Sequence, residues 1–195
     1  MKTIKINLLF AAILAFGMQS CFRTVTRVDP DKEIDISGRW NDVDSKLTAE
    51  TMIEQSLGEI WLKNHMMQKK EKPVVIVGFI KNKSHEHIDA ETFIKDIERT
   101  FIQTQKVRLV QGGDKREEIR GERADQQTNS SVSTMKKWGL EIGADYMMQG
   151  SINSLVDALD RKKVVTYQIN LELTNMETNE IVWIGDKKIK KYIKN

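Results

Sequence analysis

Hydrophobic and polar positions alternate along this chain in two rhythms, first helical and then strand-like. Asp44 or Ser45 can cap a helix in which Ala49, Ile53, Leu57, Ile60 and Trp61 form one apolar stripe. Pro73 to Ile80 (PVVIVGFI) is a short unbroken apolar run behind a proline, the pattern of a central strand covered on both faces. Asp89 caps a second helix: Ile88 and Phe93 are placed as a hydrophobic staple, and Phe93, Ile97 and Phe101 share the buried side. Lys106 to Val110 predicts a brief strand. Asp114 and Glu117 stand at capping-box spacing and open a highly charged helical segment. Ser131 to Ile142 predicts a further helix that buries Val132, Met135 and Ile142, with Gly143 as its C′ residue.

The C-terminal third changes period. Asp145 to Leu155 reads as a strand. Val165, Tyr167, Ile169, Leu171 and Leu173 then alternate with Thr166, Gln168, Asn170 and Glu172, which implies an antiparallel strand with one buried and one wetter face. Asn175 to Glu180 makes a turn and Ile181 to Ile184 returns. The predicted order is α-β-α-β-α-α-β-β-β. It fits an α+β (mixed α/β) class: a single mixed, partly antiparallel sheet of four to five strands flanked by helices.

The N-terminus carries a different signal. Lys2 and Lys5 precede Leu8 to Met18, an apolar run that is too short to span a bilayer but has the length of a signal-peptide core. Met18-Gln19-Ser20-Cys21 follows and resembles a bacterial lipobox, in which the cysteine is lipidated and becomes the new N-terminus. Cys21 is the only cysteine in the 195 residues, so the chain has no internal disulfide framework and no CxxC chemistry. The expected organisation is a lipoprotein signal peptide over residues 1–20, a lipidated N-terminus and short tether over 21–36, and a globular domain over 37–195. Acyl chains on Cys21 would tether that domain to a membrane surface.

Charge and motifs exclude more than they identify. Formal net charge is +3, with 31 Lys+Arg against 28 Asp+Glu, too balanced to mark a nucleic-acid binder. Removal of the signal takes two lysines with it and leaves the chain nearly neutral. His85-Glu86-His87 lacks metal-ligand spacing and reads as two exposed loop histidines. Asp42-Val43-Asp44 resembles the start of a calcium loop but reads more simply as helix-capping acids. Ser133-Thr134-Met135-Lys136 matches SxxK, and Ser151-Ile152-Asn153 an SxN, but no Lys-Thr-Gly or Lys-Ser-Gly strand completes a hydrolase site. Arg116, Arg120 and Arg123, interleaved with Glu117, Glu118 and Glu122, read as a solvated helix face. The lysines of the tail, Lys187, Lys188, Lys190, Lys191 and Lys194, read as protection of an edge strand, with an anionic lipid or glycan contact as the secondary reading. These readings predict no enzyme, no metal, no cofactor, no nucleic-acid partner and no small-molecule substrate.

Several segments together resemble the LpoB-type family of outer-membrane lipoproteins that activate class A penicillin-binding proteins: Asp35 to Ser45 (DISGRWNDVDS), Lys72 to Asn82, Ser84 to Asp89 (SHEHID), Arg116 to Gln127, Gly143 to Ser154 and Leu171 to Trp183. The last is shared with the wider group of proteins containing TolB N-terminal-like or CsgG-like domains. The resemblance implies a compact mixed sheet flanked by helices, and a periplasm-facing binding protein that engages a bifunctional peptidoglycan synthase in cell-wall biogenesis. Candidate partner-contact residues are Arg39, Trp40, Asn41 and Asp42, with Arg116, Arg120 and Arg123; for Trp40 the expectation is packing over the first helix. The alternative is a CsgG-like structural component of an envelope assembly or secretion complex. One feature departs from the family. Its best-known members have a long Pro-rich tether, whereas Phe22 to Ile36 spans at most about 50 Å when fully extended.

Overall fold

A computed structural model of the chain describes residues 25–29, 32, 34–131, 133–134, 136 and 141–194. The expected signal segment, Cys21 and part of the expected tether therefore lie outside the described residues, as do Val132 and Met135. The compact unit is Glu33–Asn195, and its entire hydrophobic core falls between Trp40 and Ile193.

Helix α1 (Asp42–Gly58) begins three to four residues earlier than a cap at Asp44 or Ser45 would place it. Asn41 is its N-cap: the Asn41 side chain accepts from the Asp44 N–H at 3.0 Å, and Asp44 accepts from the Asn41 N–H at 3.0 Å. Ser45 is thus not the cap. It is buried within the helix, and its hydroxyl donates to Asp96 Oδ2 at 2.7 Å. Ala49, Ile53 and Leu57 face the core as expected, joined by Met52. The stripe then breaks, because Glu59 leaves helical geometry and resets the phase. A separate helix α2 (Ile60–Lys69) follows, with Ile60 exposed and Trp61 buried; the Trp61 indole N–H donates to the Ser56 carbonyl at 2.7 Å.

Strand β1 (Val74–Lys83) is buried throughout Val74–Val77. A register irregularity between Val77 and Ile80 then turns Phe79 out to solvent, so the apolar run is interrupted there before Ile80 returns to the core. Helix α3 (Ala90–Thr104) follows the sequence pattern closely: Asp89 caps it through the Glu91 N–H at 2.9 Å, and Ile88, Phe93, Ile97 and Phe101 are buried. Strand β2 is only Arg108–Leu109. Helix α4 (Gly113–Asn129) has Gly112 as its N-cap with no side-chain cap bond, so Asp114 lies in the first turn and the expected capping box does not form. No residue of α4 is buried. The helix expected over residues 131–142 is also absent among the described residues there. Ser133 and Thr134 form a turn, and Glu141 to Ala144 are irregular.

Strands β3 (Tyr146–Leu159), β4 (Lys162–Asn175) and β5 (Ile181–Lys194) form an antiparallel meander on a parallel β2-β1-β3 edge, in the order β2-β1-β3-β4-β5. The observed order is α-α-β-α-β-α-β-β-β, and the fold is α+β with a five-stranded mixed sheet. The odd-numbered positions of β4 from Val165 to Leu173 are buried beneath the helices. The opposite sheet face is polar and half-exposed: Ser151 and Asn153 on β3 lie across from Asn170 and Gln168 on β4.

The C-terminal strand runs ten residues beyond the expected Ile181–Ile184, and this extension closes the domain. Lys191 is buried rather than solvated with its neighbours. Its ammonium lies 2.6 Å from Asp44 Oδ2 and 2.9 Å from Asp35 Oδ2, and donates to the Arg39 carbonyl at 2.8 Å. All three ammonium protons therefore meet acceptors. Burial opposes the charge on Lys191, but the hydrogen bonds to Asp44 and then Asp35 outweigh it and raise the pKa above that of an ordinary lysine. Gly38 completes the clasp: its φ is +65°, and a Cβ there would lie 2.5 Å from Ile193 Cγ1.

Lys191→Met should cost about 3 kcal/mol in urea denaturation at pH 7, since it leaves Asp44 facing a side chain that cannot pair. Because the folded-state pKa is raised, the contribution of Lys191 is complete below the unfolded lysine value, about 10.4, and fades as pH climbs through the folded value. The stability gap between wild type and variant should thus be flat from neutral pH to about 10 and close only above it. A gap that narrows with acidification alone would contradict this assignment to the lysine.

Candidate functional site

Two segments far apart in sequence, Arg39–Asp42 and His85–Asp89, form the walls of one open cleft of about 490 Å³, with Ser45, Thr92 and Lys163 completing it. The first wall is set by the α1 cap. The second is a loop between β1 and α3, cross-linked from within: Asn82 Nδ2 donates to the carbonyls of Glu86 at 2.8 Å and Ile88 at 3.2 Å, and Ser84 Oγ donates to the Glu86 carbonyl at 3.0 Å. The walls are joined by the Trp40 N–H, which donates to Glu86 Oε2 at 3.2 Å.

Trp40 forms the apolar base of the first wall. Its ring meets Phe93 edge-on at 6.1 Å and Tyr167 at 5.6 Å. The ring's aromatic contacts are thus with α3 and β4, and it packs against the core cluster to which α1 contributes Ala49, Met52 and Ile53. Tyr167 is fully buried beneath it, and burial, followed by the facing Glu86 carboxylate, raises its pKa and keeps it protonated. Asn41 is occupied as the cap of α1, and Asp42 is exposed in the first turn. Arg39 is different. Its backbone is held at the Lys191 clasp, while its guanidinium is exposed and makes no ion pair among the described residues.

The histidines at the rim do not act as a pair. His85 is exposed; its Nδ1 lies 2.6 Å from Ser154 Oγ and its Nε2 lies 3.5 Å from Glu86 Oε1. His87 is exposed on its own. The cleft thus offers a half-buried aromatic base, a free guanidinium, Lys163 and three carboxylates, those of Asp42, Glu86 and Asp89. That arrangement binds by charge and shape; it does not hold a nucleophile beside a base.

Arg116, Arg120 and Arg123 line none of this cleft. Arg116 Nε donates to the Gln111 carbonyl at 2.8 Å. Arg120 pairs with Glu117 at 2.6 Å and with Glu141 at 3.0 Å, and Arg123 pairs with Glu141 at 2.7 Å. Hydrogen bonding from Arg120 lowers the Glu141 pKa. Arg120 and Arg123 therefore brace α4 against the segment at Glu141, a partner that helical spacing within α4 could not reveal, while Arg116 ties the start of α4 to Gln111. Ser133 and Ser151 are likewise apart in role: Ser133 Oγ is 3.2 Å from Ser131 Oγ in an exposed turn, and Ser151 sits on β3 beside Asn153.

A second polar cluster escaped the sequence reading. Buried His65 lies with Nδ1 3.1 Å from the Tyr146 hydroxyl and Nε2 3.9 Å from Asp145 Oδ2. That carboxylate oxygen also accepts the Val74 N–H at 2.7 Å. The cluster fastens α2 to the starts of β1 and β3.

The cleft makes two opposite demands on neighbouring residues. Trp40→Ala should lower stability by about 2 kcal/mol, less than the loss of a fully buried aromatic. Arg39→Glu should leave the thermal midpoint nearly unchanged, because only its backbone carbonyl is used by the fold. Calorimetry on both variants checks this; a large destabilisation by Arg39→Glu would return that side chain to the fold.

Comparisons with known proteins bear on the whole domain. A family model described as Peptidoglycan-synthase activator LpoB matches residues 44–189, beginning just after Arg39–Asp42. Among solved structures, the LpoB C-terminal domain from Escherichia coli is similar at 17% identity, over 75% of this chain and 98% of that one, with a TM-score of 0.49. The NMR structure of E. coli LpoB is similar at 14% identity, over 89% of this chain and 86% of that one, with a TM-score of 0.45. The lipoprotein GNA1162 from Neisseria meningitidis is similar at 11% identity, over 62% and 83% of the two chains, with a TM-score of 0.42. No curated protein sequence matches.

Proposed function

The chain belongs to the LpoB family of peptidoglycan-synthase activators, and on that premise we propose that it is a lipid-anchored regulator of a class A penicillin-binding protein, held at the outer membrane through Cys21 with its domain facing the periplasm. Membership makes it a regulator without catalytic chemistry of its own. Among the described residues no helix is long and apolar enough to cross a membrane.

Activation without catalysis must be differential binding: the domain stabilises the active conformation of its partner more than the inactive one. The observation that best supports a contact surface is the cleft at Arg39–Asp42 and His85–Asp89. Its exposed guanidinium makes no ion pair among the described residues, its walls are fixed by the α1 cap and the Asn82 bonds, and Trp40 gives it an apolar base. Arginine beside a supported aromatic is the composition of an interface anchor. We assign Arg39 and Asp42 to direct partner contact and Trp40 and Asn41 to shaping the wall. Arg120 and Arg123, paired with Glu117 and Glu141, and Arg116, bonded to the Gln111 carbonyl, line none of the cleft and fall outside that contact.

The tether limits geometry. With Phe22 to Ile36 extending at most about 50 Å, the partner's receiving domain must project outward from the inner membrane to be met. Crosslinking and pull-down from cells expressing the tagged, lipidated protein should recover a bifunctional peptidoglycan synthase. Arg39→Glu should weaken that association about tenfold while the variant stays folded and membrane-bound. Recovery of no synthase by the wild type would refute the assignment, and recovery of a large ring of the protein itself would replace it with an assembly role. Cys21→Ala should release the domain from membranes; full retention would refute the anchor.

A further inference from the structure

The hairpin joining β3 to β4 stands clear of the core: every residue from Leu155 to Lys162 is exposed. Register shows what its open face carries. Leu155 lies across from Thr166 and then Lys190, Asp157 from Val164 and then Tyr192, and Leu159 from Lys162 and then Lys194. Leu155, Leu159 and Tyr192, exposed at 72%, 75% and 60%, are therefore grouped around Val164, with Lys190 and Lys194 at two corners of the group and Lys162 on the edge between Leu159 and Lys194. None of Lys162, Lys190 and Lys194 forms an ion pair among the described residues. Asp157 is the single carboxylate in this nine-residue grid.

Protruding leucines and a tyrosine rimmed by unpaired lysines are costly to leave in water and poor material for a core. They match the chemistry of an anionic lipid surface, where short apolar side chains enter the headgroup boundary, tyrosine sits at its level and lysines meet phosphate.

A second observation points to the same end of the molecule. Asp35 and Arg39 are clasped by Lys191, and Gly38 abuts Ile193. Lys191 and Ile193 are in register, through Val165 and Lys163, with Val156 and Ala158 of the hairpin. The polypeptide thus enters the folded unit beside the hairpin. A short chain fixed to a membrane at Cys21 would draw this end, before any other, toward the bilayer.

We propose that the β3–β4 hairpin and the end of β5 form a docking surface for an anionic phospholipid bilayer, which holds the domain in a fixed orientation on the membrane. The orientation rests on the lipid-anchor reading; the surface itself does not. The test accordingly uses residues 33–195, the compact unit that contains the whole core and no acyl chain. Sedimentation with vesicles of phosphatidylglycerol and phosphatidylcholine should show at least tenfold stronger association than with phosphatidylcholine alone, weakening as salt rises. Lys190→Glu/Lys194→Glu and Leu155→Ser/Leu159→Ser should each reduce it tenfold or more. Lys63→Glu/Lys69→Glu, on α2 at the other end of β3, should change it less than twofold. Absence of association by the parent domain, or equal loss in the α2 variant, would overturn the proposal and leave the Cys21 anchor to its own test. Concentration-dependent dimerisation that the leucine variant abolishes, without vesicle binding, would assign the surface to a second copy of the chain and would also overturn it.

Discussion

The ammonium of Lys191 is the point on which the functional end of this protein turns. A lysine buried in a sheet-and-helix core is unfavourable unless every proton finds an acceptor, and here the acceptors come from three places: the loop at Asp35, the backbone of Arg39 and the first turn of α1 at Asp44. One charge thus fixes the last strand, the first helix and the entry loop relative to one another. Asp44 serves twice, since the same carboxylate closes the capping box with Asn41. Disturbing the pair would loosen the helix start as well as the C-terminal strand.

Both surfaces with an assigned role depend on that clasp. The cleft wall Arg39–Asp42 is short and lies at a helix start, a place that frays unless tied. Its backbone is held by Lys191, its ring by Phe93 and Tyr167, and its amide by Glu86, which leaves the Arg39 side chain free on a rigid support. Such preorganisation reduces the ordering cost of binding. The hairpin of β3 and β4 is held from the other side by β5, which pairs with β4 as far as Lys194 and packs on the entry loop through Lys191 and Ile193. The proposed partner surface and the proposed membrane-facing surface lie at one end of the domain, which would suit a short tether at Cys21.

Elements with local causes were legible in the sequence, and those with distant causes were not. The staple of Ile88 and Phe93, the stripe of α3 and the alternation in β4 follow from spacing within a few residues, and the structure repeats them. The start of α1 was misplaced because Asp44 and Ser45 are themselves good caps, and only the reciprocal Asn41–Asp44 bonds decide between them. Ile60 reads as core until Glu59 breaks the helix and shifts the phase. Lys191 is indistinguishable in sequence from the lysines around it, since its acceptors lie some 150 positions away; the Arg39 bond alone spans 152. The same limit explains the arginines of α4, whose pairing with Glu141 crosses out of the helix. Of the cleft, both walls were visible as segments, but nothing in the sequence showed that they face each other.

Regulation by binding underlies the function proposed for this protein. Its most direct measurement is the initial rate of glycan polymerisation by the cognate bifunctional synthase, with and without a stoichiometric amount of the mature, lipidated protein in the same detergent. The predicted result is a several-fold higher rate at saturation, lost with Arg39→Glu at equal concentration. An unchanged polymerisation rate in the presence of a formed complex would contradict it.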